Sequence, residues 1–295
     1  FLRRADYTAP ATSNQYDGTA KSLSGWSFAP GVDMAKIFGT ASTGVTATNA
    51  GTYYPTGLYS SQLGYDIVAT PLTITPAPVT VFYRANAVNR AYGDANPALS
   101  GTYSVSGLIG SDTLSGTVNW LTAALTTSNV GSYAVNGSGL NAGSNYAITH
   151  VQAADNAIAL TITPRPLSIY YRADAATRIF GLANPALGGS VSYEGLIDPS
   201  HISGTAAWTT TATPVSNVGS YAITGSGLSA TSNYAVQAFQ SRSGPNAYDN
   251  SAALTITRAP LTITFIVGAR SMSYGDVVPT SFSGTAIYNF APGSA

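Results

Sequence analysis

Short alternations of apolar and polar residues recur along the chain, and none persists with a helical period. Val79-Thr80-Val81-Phe82-Tyr83, Leu167-Ser168-Ile169-Tyr170-Tyr171 and Leu261-Thr262-Ile263-Thr264-Phe265 alternate and are rich in β-branched and aromatic residues, which predicts strands. Tyr103-Ser104-Val105, Ser132-Tyr133-Ala134-Val135 and Tyr146-Ala147-Ile148-Thr149 read as further short strands. Gly, Asn and Pro fall between them at short intervals, as tight turns require. No window joins a helical period to an N-cap and a charged outer face. The pattern predicts an all-β chain.

The pattern also repeats. Thr73-Ile74-Thr75-Pro76 returns as Thr161-Ile162-Thr163-Pro164, a step of 88 residues. Asn129-Val130-Gly131-Ser132-Tyr133 returns at the same step as Asn217-Val218-Gly219-Ser220-Tyr221. Trp120 returns as Trp208, Asn145-Tyr146 as Asn233-Tyr234, and Asn96-Pro97-Ala98-Leu99 as Asn184-Pro185-Ala186-Leu187. Upstream, Asn49-Ala50-Gly51-Thr52-Tyr53 is a diverged copy of the Asn-Val-Gly-Ser-Tyr element. Downstream, Pro260-Leu261-Thr262-Ile263-Thr264 opens another unit, in which Tyr274-Gly275-Asp276 echoes Tyr92-Gly93-Asp94. A period this long suffices for an independently folded domain, whereas solenoid repeats run to roughly 20–50 residues. The expected organisation is domains at 1–76, 77–164 and 165–257, then a partial domain at 258–295 with its first strands only. Frequent turns between short strands predict immunoglobulin-like β-sandwiches. Trp120 and Trp208 are expected to fill the core between two sheets.

Pro76-Ala77-Pro78 and Pro164-Arg165-Pro166 separate the closing strand of one repeat from the opening strand of the next, and Arg258-Ala259-Pro260 keeps one proline. Proline fixes φ and biases its predecessor to extended conformations. These segments therefore read as short, stiff spacers. Domains so joined are expected to stack end to end as a rod, at about 40 Å per domain for strands of about 12 residues.

Composition then removes function classes. Charged residues make up 8% of the 295 residues, with 12 basic, 12 acidic and no cysteine. Twelve scattered cations give no basic patch for nucleic acid. Disulfide scaffolds and cysteine-based metal sites are excluded. The single Glu, Glu194, does not fit a coiled coil. No apolar run is long enough for a membrane-spanning helix. The opening Phe1-Leu2-Arg3-Arg4-Ala5-Asp6 lacks a Met and a signal-peptide core, and reads as a processed end or the cut edge of a longer chain.

Candidate chemistry is thin. Tyr92-Gly93-Asp94 is expected to be a tight turn, with Gly at positive φ and Asp accepting backbone N–H groups. Tyr133 and Tyr221, each four residues after an Asn, suggest a tyrosine corner. His150 and His201 fall at non-equivalent places, so no metal or catalytic pair is expected. Glu194 and Asp198 lie four residues apart in a loop without counterparts in the preceding repeat, which argues against paired-carboxylate catalysis. Asp155, Asp174 and Asp249 are too sparse for a calcium site. No cofactor and no catalytic residue are expected.

These motifs resemble those of the MBG family, the "mostly bacterial Ig-like" repeats. The matching order is a Pro-Leu-Thr-Ile-type strand, Tyr-Gly-Asp-x-Asn-Pro, Asn-Val-Gly-x-Tyr, Asn-Tyr and a closing Leu-Thr-Ile-Thr. Residues 78–163 follow it throughout, including Tyr92-Gly93-Asp94-Ala95-Asn96-Pro97. The next repeat departs at Phe180-Gly181-Leu182, and the first carries Tyr16-Asp17-Gly18-Thr19, similar to the YDG domain. The resemblance implies a large secreted or surface-bound bacterial adhesin and a non-catalytic stalk, acting in adhesion or biofilm matrix assembly. The repeat motif Tyr16, Asp17, Gly18, Tyr92, Gly93, Asp94, Trp120, Tyr133, Phe180, Gly181, Trp208, Tyr221, Tyr274, Gly275 and Asp276 is then structural. Some bacterial Ig-like domains carry Lys–Asn crosslinks; with only Lys21 and Lys36, none is expected. Two alternatives remain open. Edges poor in Lys and the Leu-Thr-Ile-Thr motifs suit strand addition between chains in a self-assembling filament. The 19 Tyr and many Asn suit a glycan or matrix polymer. Expected partners are neighbouring domains of the same chain, further copies, or such a polymer.

Overall fold

The computed structural model describes residues 3–10, 13–60, 65–268, 271–278, 280–281 and 284–290. The outermost ends of the expected first and fourth domains lie outside the described residues. The chain is all-β. Strands are joined by turns and four short 3-10 segments, and no α-helix occurs among the described residues. Two compact units form, Phe1–Arg90 with Asp94–Ile162, and Ala91–Gly93 with Thr163–Ala295.

Alternation places the strands. In Ala77–Ala85 the residues Ala77, Val79, Val81 and Tyr83 are buried while Pro78 and Phe82 face out. Arg165–Ala173 buries Leu167, Ile169 and Tyr171 in the same way. Each of these nine-residue strands is the centre of a three-stranded sheet. Ala77–Ala85 pairs antiparallel with Gly101–Ser106 and parallel with Tyr146–Gln152. Arg165–Ala173 pairs likewise with Gly189–Glu194 and Tyr234–Phe239. A second sheet places Leu160–Thr163 between Val88–Ala91 and Gly131–Tyr133, and Leu254–Thr257 between Ala176–Ile179 and Gly219–Tyr221. A two-stranded ribbon completes each repeat, Ser115–Leu121 with Asn136–Asn141 and Ile202–Thr209 with Thr224–Ala230. Val81, Tyr83 and Leu140 form an apolar core between the first sheet and the ribbon, the layering of a β-sandwich. Immunoglobulin sandwiches use antiparallel sheets, whereas both three-stranded sheets of the third repeat are mixed.

The first repeat follows the same scheme. Arg3–Thr8 pairs parallel with Tyr65–Ala69 and antiparallel with Ser27–Phe28. Leu72–Thr75 pairs parallel with Ser13–Gln15 and antiparallel with Gly51–Tyr53. In the partial repeat, Leu261–Val267 pairs with Gly284–Phe290.

Three expectations are corrected. Two of the three proline segments are not spacers, whereas Arg258-Ala259-Pro260 does separate Leu254–Thr257 from Leu261–Val267. Only Pro76 lies between Leu72–Thr75 and Ala77–Ala85, and only Pro164 between Leu160–Thr163 and Arg165–Ala173. The Ala77 N–H already donates to the Asn145 carbonyl at 3.0 Å. Pro78 is tolerated at this strand start because the antiparallel neighbour begins only at Thr80 opposite Ser106. The strands are also shorter than expected, and nine residues span about 30 Å. Finally, the tryptophans do not fill the core. Tyr83 and Tyr171 do, at 0% and 2% exposure, with half-buried Trp120 and Trp208 set edge-on against them at 6.1 and 5.9 Å. Glycines make room for these rings. A Cβ on Gly137 would lie 2.4 Å from Tyr83, and one on Gly225 would lie 2.5 Å from Tyr171.

Buried polar groups fasten each repeat from within. Asn156 is 1% exposed. Its carboxamide accepts from Ala85 N at 2.7 Å and donates to the Tyr83 carbonyl at 3.1 Å and to Gln152 at 3.0 Å. Asn250 makes the same three bonds to Ala173 N, the Tyr171 carbonyl and Gln240. Arg90 and Arg178, both buried, each donate Nε to an Asn side chain, Asn96 and Asn184, at 2.7 Å. Their Nη2 groups donate to the Leu125 and Thr213 carbonyls. Buried charge and amide are tolerated here because their hydrogen bonds are made.

Candidate functional site: the tyrosine sockets

Tyr16 and Tyr92, from the first two of the Tyr-Asp-Gly and Tyr-Gly-Asp turns, each reach into a neighbouring repeat. In unit 1, Tyr16 belongs to the first repeat. Its N–H donates to the Thr75 carbonyl at 2.9 Å, which aims the ring toward the second repeat. The ring meets Tyr146 edge-on at 5.4 Å. The hydroxyls of Tyr16 and Tyr146 both donate to Asp112 Oδ2, at 2.8 and 2.7 Å. Tyr146 in turn accepts from Ile109 N at 2.9 Å. Beside them, Asn145 accepts from Ala50 N at 2.9 Å and donates to Asn49 at 3.1 Å. Beneath, Tyr16, Leu23, Leu72 and Ile74 of the first repeat share one core cluster with Ala77, Val79 and Tyr146 of the second.

Unit 2 holds a second socket. Tyr92, 5% exposed, donates its N–H to the Thr163 carbonyl at 2.9 Å. Its ring meets Tyr234 at 5.6 Å and His201 at 5.9 Å, both edge-on. Tyr234 accepts from Ile197 N at 3.2 Å and lies 3.1 Å from His201 Nδ1. Arg165 Nη1 donates to the Tyr92 carbonyl at 3.3 Å. Gly93 has φ +84, and a Cβ there would overlap Ile197 at 1.9 Å, so this position requires glycine.

The electrostatics of the two sockets differ. The hydroxyls of Tyr146 and then Tyr16 hold the Asp112 carboxyl below the usual carboxylate range. The same bond, from the other side, pushes the Tyr16 hydroxyl up. Tyr92 is pushed up by burial, and so chiefly is Tyr146. In the first socket neutral tyrosines donating to an ionised aspartate make a fixed contact.

The remaining predicted residues take local roles. Asp17 accepts from Thr19 N at 2.9 Å and is held low by Lys21 and Thr19, while Gly18 has φ +76. Asp276 accepts from Ser273 N at 2.9 Å beside Gly275 at φ +97. Tyr274 is fully exposed. Phe180 packs on the core of its own repeat, and Gly181 has φ +89. Asp94 follows Gly93 in the turn. Tyr133 and Tyr221 donate their hydroxyls to the Asn129 and Asn217 carbonyls at 2.7 and 2.8 Å, and Tyr53 does so to Asn49 at 3.0 Å. His150 lies 3.2 Å from the Tyr83 hydroxyl. Asp198 caps the segment Pro199–His201, whereas Glu194 accepts from Tyr170. Sequence reasoning missed Asp112, Tyr146 and Tyr234 as socket residues and Arg90, Arg178, Asn156 and Asn250 as buried anchors. The Asn-Tyr pairs and the Arg90 to Arg178 step were the available signals.

Two copies of one mixed-sheet scheme define a tandem all-β repeat protein. The profile of the MBG domain (YGX type) matches residues 81–154 and 169–242. Together these cover half of the chain, and the chain belongs to this family. The family is a structural domain type of bacterial surface proteins rather than an enzyme family. No match was found among curated proteins or among solved structures. No helix among the described residues is long and apolar enough to cross a membrane.

Proposed function

We propose that the chain is a non-catalytic stalk segment of an extracellular bacterial adhesin or surface fibre, built of small β domains stacked end to end as a rod. The observation that carries this reading is the Tyr16 socket, where one core runs from the first repeat into the second across a single linking residue. Such a joint resists bending, because bending must break packed and hydrogen-bonded contacts. Membership of the MBG family supports a surface-protein setting, and a stiff spacer serves cell adhesion or biofilm matrix assembly. Small-angle X-ray scattering tests it. Three repeats at about 30 Å each, with the partial fourth, predict a radius of gyration near 30 Å. A compact globule of 295 residues would give about 19 Å and would sink the reading.

A second reading is filament growth by strand addition between chains, for which edges poor in lysine and the Leu-Thr-Ile-Thr strands are suited. Sedimentation at rising concentration should then show growing species, and a constant monomer would remove this reading.

A further inference from the structure

One corner of the third repeat departs from the second. The step from Gln152 to Gln240 is 88 residues, but from Asn156 to Asn250 it is 94, so six residues are inserted. The lengthened segment folds as a small hairpin, Ser241–Arg242 with Tyr248–Asp249. The hairpin turns through Asn246 at φ +66, the one non-glycine with positive φ among the described residues. It closes over the sheet to form a cavity of about 240 Å³ lined by Arg172, Ser190, Ser192, Arg242, Asn246 and Tyr248.

Three observations converge there. Arg172 is the counterpart of Arg84, which pairs with Asp155 at 2.8 Å. The counterpart of Asp155 is Asp249, whose carboxylate instead accepts from Ser251 N at 2.9 Å. Arg172 therefore faces the cavity with the Tyr248 ring 6.0 Å from its guanidinium carbon and no carboxylate within ion-pair distance among the described residues. Arg242 lies over the Tyr170 ring at 4.5 Å, and its carboxylate neighbour Glu194 is at 3.8 Å and largely exposed. The Tyr248 hydroxyl is buried and has no hydrogen-bond partner. A buried hydroxyl left unpaired is unfavourable and asks for an explanation.

We propose that this cavity is a binding subsite for one carboxylated sugar residue of an acidic polysaccharide. The Arg172 fork takes the carboxylate, since guanidinium and carboxylate match in plane and spacing. The Tyr248 ring walls the cavity beside the Arg172 guanidinium. Ser190, Ser192 and Asn246 supply the donors and acceptors that a hydroxylated ring needs. The insertion explains why the second repeat lacks such a site: there Arg84 is neutralised by Asp155 and no hairpin closes the cavity. The proposal is independent of the stalk reading.

Calorimetric titration of the full chain with linear trigalacturonate tests it, with the carboxyl-reduced neutral trimer as the comparison. The acidic trimer should bind, more weakly as salt rises. The neutral trimer and the Arg172→Ala variant should each bind about tenfold more weakly, the scale of one lost charge-assisted pair. Arg84→Ala, in the second repeat, should leave binding unchanged. Tyr248→Ala, which removes the ring that walls the cavity, should weaken binding severalfold, whereas Tyr248→Phe, which keeps it, should bind as the parent chain does. No heat at millimolar trimer, equal binding of the neutral trimer, or indifference to Arg172→Ala would overturn the proposal.

Discussion

The second and third repeats share an interior and differ at their margins. Asn156 and Asn250 make the same three bonds, and Arg90 and Arg178 hold their Asn partners at the same 2.7 Å. At the margins, Asp112 receives two tyrosine hydroxyls in one socket, while His201 stands beside Tyr234 in the other. Arg84 pairs with the Asp155 carboxylate, whereas Arg172 faces the Tyr248 ring with no carboxylate in ion-pair distance among the described residues. The difference has a physical cause. A buried amide or guanidinium must have its hydrogen bonds satisfied, so it fixes its whole surroundings. A half-exposed contact can change partners because water covers the remainder.

The largest effects should come from the shared interior. Asn156→Ala orphans the Ala85 N–H and the Tyr83 carbonyl, and should cost about 2–5 kcal/mol by chemical denaturation. Asn250→Ala should cost the same within about 1 kcal/mol if the two interiors are equivalent; a marked inequality would break the comparison. Next come the close approaches. Gly137→Ala and Gly225→Ala each press a methyl into a core tyrosine and should cost about 1–3 kcal/mol, again equally.

Smaller effects should separate the sockets. Tyr16→Phe deletes a hydroxyl that donates to Asp112, whereas Tyr92 is held by ring contacts and burial. Thermal melts should register the first substitution and scarcely the second. Acid should divide them further. The Asp112 carboxyl is held low in the folded chain, so its contribution is present above the ordinary carboxylate pKa of about 4 and is lost as pH falls through its folded value. The Tyr16 ring resonances should therefore move on acidification below about pH 4, and Asp112→Asn should abolish that titration. Tyr92 carries a raised pKa through burial, so its socket loses stability only as pH rises through a value above the usual 10.

Much of the architecture was legible in the sequence. The alternation in Val79–Tyr83 and Leu167–Tyr171 marked the central strands, and the 88-residue step marked equivalent positions. What stayed hidden depends on contacts between distant segments. An Arg in a short polar-looking strand, such as Arg90, gives no sign that it points inward, because burial follows from partners at Asn96 and Leu125. The prolines suggested spacers because proline disfavours strand interiors; the structure uses strand starts, where the missing N–H is not needed. The Tyr of the Tyr-Gly-Asp turn was read as turn chemistry, which accounts for Gly93 but not for the ring. Its partner lies in a strand more than 140 residues away, Tyr92 against Tyr234.

The most direct test of the account is a double-mutant cycle across the first joint, with Tyr16→Phe in one repeat and Asp112→Asn in the next, read by chemical denaturation. The account predicts strong non-additivity, the double variant being little worse than the more damaging single one. Strictly additive losses would show that the two residues do not act on each other and would contradict a locked joint between successive repeats.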